Sequence, residues 1–373
     1  MIRRPNAFLA TTLLLTAAVL AGPGTPADAQ TPGTVFTVND DTSIGLGGVM
    51  QPRFSWTRDN LADEEALGFG MRRYRLYTLV SMGDRISLFA QLEGGSAGST
   101  SFIDLEAAYR ISDTWELHGG RIIGAQPRAY ALTLLPRLDA IDRPVVTVAW
   151  ANRTLGADGR TYGAGLRGAT DTWNALLTLH NGTNSRDFAG EIAAESPARP
   201  SETGLAASAY LNLRPNGADG IEVGGHLGYN ASKNSLTRAG GEGRAFADGS
   251  VHLYWGAAPG DQPLRVKAEA LGIRYEAVEG VDDRGFVGAS LLGATLLEDH
   301  IELVGRVERM RDAEPGPDAS QTIVTAGVHF SRSARQGGDF NRQRLTVGWS
   351  LRQLEGGSDT RRHQLAVQAQ LVF

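Results

Sequence analysis

His363-Gln364-Leu365-Ala366-Val367-Gln368-Ala369-Gln370-Leu371-Val372-Phe373 ends the chain, and its reading decides the fold. Leu365, Val367, Ala369, Leu371 and Phe373 share one parity. Gln364, Ala366, Gln368 and Gln370 share the other. Successive side chains of a strand point to opposite faces, so this stretch is a strand with one apolar and one polar face.

The same period of two recurs upstream. Ile44, Leu46, Met50, Phe54 and Trp56 oppose Gln51, Arg53 and Ser55; Tyr74, Leu76, Val80 and Met82 oppose Arg73, Arg75 and Tyr77. Ile103, Leu105, Ala107, Tyr109 and Ile111 oppose Asp104, Glu106 and Arg110, and Leu345, Val347, Trp349 and Leu351 oppose Arg344, Ser350 and Arg352. About sixteen such segments are predicted, over 43–56, 70–82, 86–93, 102–111, 115–124, 160–168, 173–180, 205–213, 221–229, 246–255, 264–275, 286–297, 300–310, 321–331, 343–354 and 363–373. Each is close to the roughly 9–11 residues of a tilted membrane strand.

Short connections (83–85, 112–114, 170–172, 298–300) alternate with long polar ones (187–201, 231–243, 311–320), as in a meandering barrel with tight inner turns and long outer loops. Apolar faces end in Trp56, Tyr109, Trp115, Trp173, Tyr229, Trp255, Trp349 and Phe373, the placement of an aromatic girdle. A soluble sandwich or propeller also has short alternating strands, but this many hairpin-linked strands on one even chain call for closure. The fold class is therefore all-β: a transmembrane antiparallel up-and-down barrel of about 16 strands.

The amino terminus carries Arg3 and Arg4, an apolar run from Ala7 to Ala21, and Ala27-Asp28-Ala29 after a Pro/Gly break. That is the form of a cleaved secretory signal, with the cut expected after Ala29. Residues 30–373 then make one domain. No cysteine occurs, which excludes a lipidated N-terminus, disulfides and thiolate metal sites. Loss of Arg3, Arg4 and Asp28 moves the formal charge from -5 to about -6, with no nucleic-acid footprint. These features place the chain in the outer membrane of a Gram-negative type bacterium, in contact with its lipid. The strand ending at Phe373 is expected to engage the barrel assembly machinery.

Parity puts mixed charges on the inner face. Arg53, Arg73, Arg75, Arg167, Arg265, Arg306, Arg344 and Arg352 fall there, with Asp104, Glu106, Glu222, Asp248, Glu269, Glu302 and Glu308. Inward arginines favour small anions, and equally they can pair with the facing carboxylates and pack the wall. The semi-apolar stretch from Gln126 to Asn152 could fold inward and place Arg128, Arg137, Asp139, Asp142 and Arg143 at a constriction. It could also cover the mouth or touch a neighbouring subunit.

Signals for other chemistry are weak. Gly94-Gly95-Ser96-Ala97-Gly98 fits G-x-S-x-G, yet it lies in a loop between strands rather than at a strand-to-helix turn. The seven histidines have no metal-ligand spacing. No catalysis and no cofactor is expected; a structural or hydrolytic barrel without open-pore transport is the alternative.

The order of motifs resembles the phosphate-selective porin family, porins O and P, over nearly the whole mature chain. It is carried by Phe69-Gly70-Met71-Arg72-Arg73-Tyr74-Arg75-Leu76, Asp104-Leu105-Glu106-Ala107-Ala108-Tyr109, Leu117-His118-Gly119-Gly120-Arg121-Ile122, Leu138-Asp139-Ala140-Ile141-Asp142-Arg143, His180-Asn181-Gly182 and the strand from Ile301 to Arg309. The resemblance implies a sixteen-stranded barrel, usually trimeric, passing anions, phosphate or polyphosphate among them. Arg53, Arg73, Arg75, Arg143, Arg167, Arg306, Arg344 and Arg352 would then be pore-lining, anion-binding residues. The best-known members also gather lysines near the mouth, whereas this chain has only Lys233 and Lys267.

Overall fold

The structure is a computed structural model that describes residues 33–60, 62–95, 98–154, 159–181, 205–231, 245–277, 285–312, 320–355 and 360–373. The expected signal at 1–29, Ser96, and most of the long outer connections lie outside the described residues.

A short first strand, β1 (Thr34–Asn39), precedes sixteen wall strands. These are β2 (Thr42–Asp59), β3 (Glu64–Met82), β4 (Ile86–Gly94), β5 (Thr100–Arg110), β6 (Trp115–Ile123), β7 (Arg160–Ala169), β8 (Trp173–His180) and β9 (Ala206–Leu213). They continue as β10 (Ile221–Asn230), β11 (Phe246–Trp255), β12 (Leu264–Tyr275), β13 (Gly285–Glu298), β14 (Ile301–Asp312), β15 (Ser320–Ser331), β16 (Gln343–Glu355) and β17 (Thr360–Val372). Each wall strand pairs antiparallel with the next, and β17 closes on β2 through Val367 to Phe54 and Leu371 to Met50. The result is a closed sixteen-stranded transmembrane barrel. Among the described residues no helix is long and apolar enough to cross a membrane; the crossing is made by strands.

All sixteen expected segments are strands; β1 is an addition. β17 leaves the edge of β2 at Phe373, whose backbone exchanges two hydrogen bonds with Gly48 (2.8 and 3.0 Å). β2 runs on to Thr42, and β1 covers that remaining edge, pairing Thr34 with Leu46 and Phe36 with Ile44. An unpaired strand edge is thereby removed without a seventeenth column.

The barrel is inside out relative to a soluble protein. Leu227 (73% exposed), Val251, Leu253 and Val307 stand on the outside, while Arg265, His329, Glu302, Gln51 and Gln370 are buried within. An outer face of bare leucine and valine is stable only against lipid. The strand ends that lead into the long connections lie at one end. The short turns, β1 and Phe373 lie at the other, which includes a helix α2 (Arg332–Arg335) in the turn between β15 and β16.

Candidate functional site

Three local features shape the lumen. The first is a bulge between β2 and β3: Gln51 pairs with Arg73, but Pro52 pairs with Met71. Arg72 is the extra residue. Proline cannot donate to the ladder, so a bulge opposite it relieves the mismatch. The bulge switches parity along β3, so that Leu67 and Phe69 face outward before it and Leu76 after it. It also lets Arg72 and Arg73 both reach inward, although they are sequence neighbours.

The second is the inward segment. After β6 the chain leaves the wall, and residues 124–154 fold into the lumen, where they form a 3-10 turn at Leu135–Arg137 and a helix α1 at Val145–Arg153. Of the three placements the sequence left open, the fold adopts the inward one. α1 was not expected, because Val145, Val146 and Thr147 are β-branched and weak helix formers. Tertiary contacts override that preference. Trp150 (1% exposed) and Val146 sink among Phe246, Leu271, Phe286, Met310 and Ile323. Gly288 leaves room for Val146. Glu308 accepts from the backbone N–H of Val146 at 3.0 Å, placing a carboxylate at the positive end of α1.

The third is a set of braces from the wall to the stretch 136–143. Six backbone carbonyls of that stretch accept from inward side chains, Arg143 O among them from Arg306 (3.3 Å). Gln370 donates to Pro136 O (3.0 Å), Arg344 to Leu138 O (3.0 Å), His329 Nε2 to Asp139 O (2.8 Å), Arg53 to Ile141 O (2.9 Å) and Arg306 to Asp142 O (3.1 Å). Two carboxylates lock the ends. Asp139 receives Lys267 Nζ on both oxygens (2.8 and 2.9 Å) and also Arg265, which itself forks onto Glu302 (2.8 and 3.0 Å). Asp142 takes a two-pronged bond from Arg53 (2.8 and 2.9 Å) and a third from Arg72 (3.2 Å). Burial alone would raise the Asp139 pKa; the Lys267 and Arg265 charges outweigh it and hold the carboxyl well below the usual range.

The structure places the expected site arginines in unequal situations. Arg53, Arg306 and Arg344 brace the inward segment. Arg75 pairs with Glu93 (2.5 Å), Arg167 with Glu106 (2.7 Å) and Glu116, and Arg352 donates to Gln321 (2.7 Å). Arg143 turns back onto carbonyls of its own segment, Tyr130 O and Thr133 O (2.8 Å) among them. Arg73 is half-buried, and its Nε finds no hydrogen-bond partner. Of the other residues expected at a constriction, Arg128 pairs with Glu222 (3.2 Å) and Arg137 is exposed.

Around Arg73 the charges do not cancel. Arg72, Arg75, Glu93 and Asp142 lie within electrostatic reach of it, and Arg75 in turn faces Arg160 and Asp104. Arg143 approaches from the inward segment. Burial first, then Arg73 and Arg75, press its pKa down to about 9, so it stays protonated at neutral pH while sensing a positive field. With Arg53, six guanidiniums meet the three carboxylates Glu93, Asp104 and Asp142. Arg72 and Arg160, which pairs with Asp104 at 3.0 Å, were not singled out from sequence. The parity switch from Phe69 and Met71 to Tyr74 was the readable sign for Arg72.

Solved structures with this geometry are numerous. The anion-selective porin from Comamonas acidovorans superposes with a TM-score of 0.65 at 13% identity, over 89% of this chain and 100% of that one. The outer membrane channel DcaP of Acinetobacter baumannii gives 0.60 at 10% identity, over 91% and 99%. OmpF of Salmonella typhi, in complex with daunomycin, gives 0.60 at 11% identity, over 91% and 100%. In fold, the chain resembles the outer-membrane porins. At such identities the likeness extends to the fold alone. No family model matches the sequence, and no curated protein does.

Proposed function

We propose that the chain is an outer-membrane porin: a passive, non-enzymatic diffusion channel for small hydrophilic solutes that prefers anions. The observation that carries the preference is the excess of guanidinium over carboxylate around Arg73. Inward polar and charged residues over much of the wall support the channel itself; the apolar part of the interior is the seat of α1 against Phe246, Leu271 and Phe286. Phosphate and polyphosphate are natural candidates, because a guanidinium fork matches phosphate oxygens bidentately. The resemblance to porins O and P points the same way. The lysine-rich mouth of that family has no counterpart in Lys267, which is committed to Asp139 and Ala257 O (2.6 Å).

The porin fold, the export signal and the terminal Phe373 support residence in the outer membrane after cleavage at Ala29. The fold also supports a homotrimer, since an OmpT structure of this fold is described as a trimer form. The test is a planar-bilayer recording in a salt gradient. A reversal potential displaced toward the chloride equilibrium potential is expected; absence of conductance would end the channel reading. Loss of an esterase activity in Ser96→Ala would instead favour a hydrolytic barrel.

A further inference from the structure

The outer wall is not uniform. Across β2 to β5 it carries bulky side chains such as Leu46, Met50, Leu76, Leu88, Phe102 and Leu105. Across β11 to β13, toward the end with long connections, it thins. Register places Gly249, Gly272, Val287 and Arg311 in one outward row, and Val251, Ala270, Ala289 and Arg309 in the next. One row further in the wall is apolar and full again, with Leu253, Leu291 and Val307.

The small residues therefore floor a groove of about 790 Å³, banked by Leu227 and Val251 on one side and by Val287 and the arginine stems on the other. Arg274 stands at its outer end, one row above Gly272 on β12. No described residue pairs with it.

Two arginines, Arg309 and Arg311, and one carboxylate, Glu355, line this groove, with Arg274 beyond its outer end. Arg309 meets Glu355 at 2.8 Å, but the two side chains are 67% and 39% exposed. Such an exposed pair is weak and yields easily to a stronger anion. Arg309 and Arg311 sit two residues apart on one outward face, so their forks can grip one phosphate group between them. An apolar trough on a membrane-facing wall has acyl chains for neighbours, and the guanidiniums at its outer rim select an anionic headgroup.

We propose that this groove binds a phosphorylated lipid of the outer leaflet. An acyl chain lies over Gly249, Ala270, Gly272 and Ala289, and the headgroup phosphate sits on Arg274, Arg309 and Arg311. The site rests on the outer-membrane location proposed above, and is independent of whether the lumen conducts.

The test uses the full mature chain in non-ionic detergent, titrated with bis-phosphorylated lipid A and followed by native mass spectrometry. Two variants probe the two halves of the site: Arg274→Gln/Arg309→Gln/Arg311→Gln removes the charge, and Ala270→Leu/Ala289→Leu fills the trough with residues suited to a lipid-facing wall. Retention of lipid is expected to fall at least about tenfold in each, and for the dephosphorylated lipid on the unaltered protein. Heat-modifiable gel mobility and unchanged conductance verify that both variants fold. Equal retention in all three proteins overturns the site. Displacement of lipid by millimolar inorganic phosphate alone would make it a free-anion site and overturn the lipid assignment. A change in protomer number without a change in bound lipid would assign the groove to a second copy of the chain. A non-conducting but lipid-binding protein would remove the channel reading and leave this site standing.

Discussion

Arg73→Glu tests the lumen where its charge is least committed. Arg73 is half-buried with an unpaired Nε, so its loss breaks no brace. The substitution turns six guanidiniums against three carboxylates into five against four. For an ion passing about 6 Å away in water-like dielectric, each unit charge is worth about 0.7 kcal/mol. A change of two units therefore moves an anion and a cation by about 1.4 kcal/mol each, in opposite senses. Screening in about 0.1 M salt, with a Debye length near 10 Å, leaves about half of the combined difference. The anion-to-cation permeability ratio is expected to fall about tenfold, read as a reversal potential moving toward the potassium equilibrium potential in a potassium chloride gradient. Arg344→Gln is the matched comparison: it also removes a wall charge, but from behind the inward segment, where the guanidinium holds Leu138 O and Asn341. It should shift the ratio less than about threefold and add current noise instead. An unchanged reversal potential in Arg73→Glu, or an equal shift in Arg344→Gln, would refute the assignment of selectivity to the Arg73 cluster.

Other outcomes follow from the way the inward segment is held. Asp139→Asn strands Lys267 as a buried cation with Ala257 O as its remaining hydrogen-bond partner; breaking such a pair typically costs about 3–5 kcal/mol. Adding Lys267→Met should recover part of that loss, and a double-mutant cycle on thermal unfolding measures the coupling. Trp150→Ala empties the seat of α1 at about 3–5 kcal/mol, and Gly288→Val pushes Val146 away at about 1–3 kcal/mol; both should raise single-channel noise without abolishing assembly. Acid acts through Asp139, whose pKa is depressed in the folded state. Its contribution is fully present above the unfolded value near 3.9 and is lost as pH falls through the folded one. Conductance noise should therefore stay flat from pH 7 down to about 4 and rise only below that, whereas a rise already at pH 6 would show that another group controls docking.

The wall was legible because its signal is local. Most of the sixteen strands alternate through their own span, from Ile44–Trp56 to Leu365–Phe373, and closure follows from having that many strands. β3 and β5 break the alternation at bulges, and the one in β5 turns Ile103 inward, off the face it was expected to share with Leu105. β1 was not, since Thr34–Asn39 has no period: apart from Val35 every residue is exposed, and it forms only because β2 presents an open edge at Thr42–Leu46. The bulge at Arg72 left a trace in the parity of Phe69, Met71 and Tyr74, but reading it requires knowing that Pro52 lies opposite. α1 hid for a different reason. Its β-branched first turn argues against a helix, and the contacts that override this come from Leu271, Phe286 and Met310, more than a hundred residues away.

The inner arginines were the least readable feature, and the structure supplies the physical reason. Parity finds which arginines face inward but not what they meet, and many of their partners are backbone carbonyls of residues 136–143, which have no side-chain signature. This also accounts for a chain with two lysines among 36 basic residues. A guanidinium offers five donors in a rigid fork, so Arg53 can hold Ile141 O, Asp142 and Gln368 together. An ammonium on a flexible stem could satisfy such a set only by giving up geometry. Arginine abundance in this lumen thus reflects bracing first, and the proposed anion preference would rest on the few guanidiniums the braces leave over. That subset centres on Arg73 on β3; its neighbour Arg72 spends one contact on Asp142, and Arg143 faces them from the inward segment. It exists because one bulge brings two neighbouring arginines to the same face.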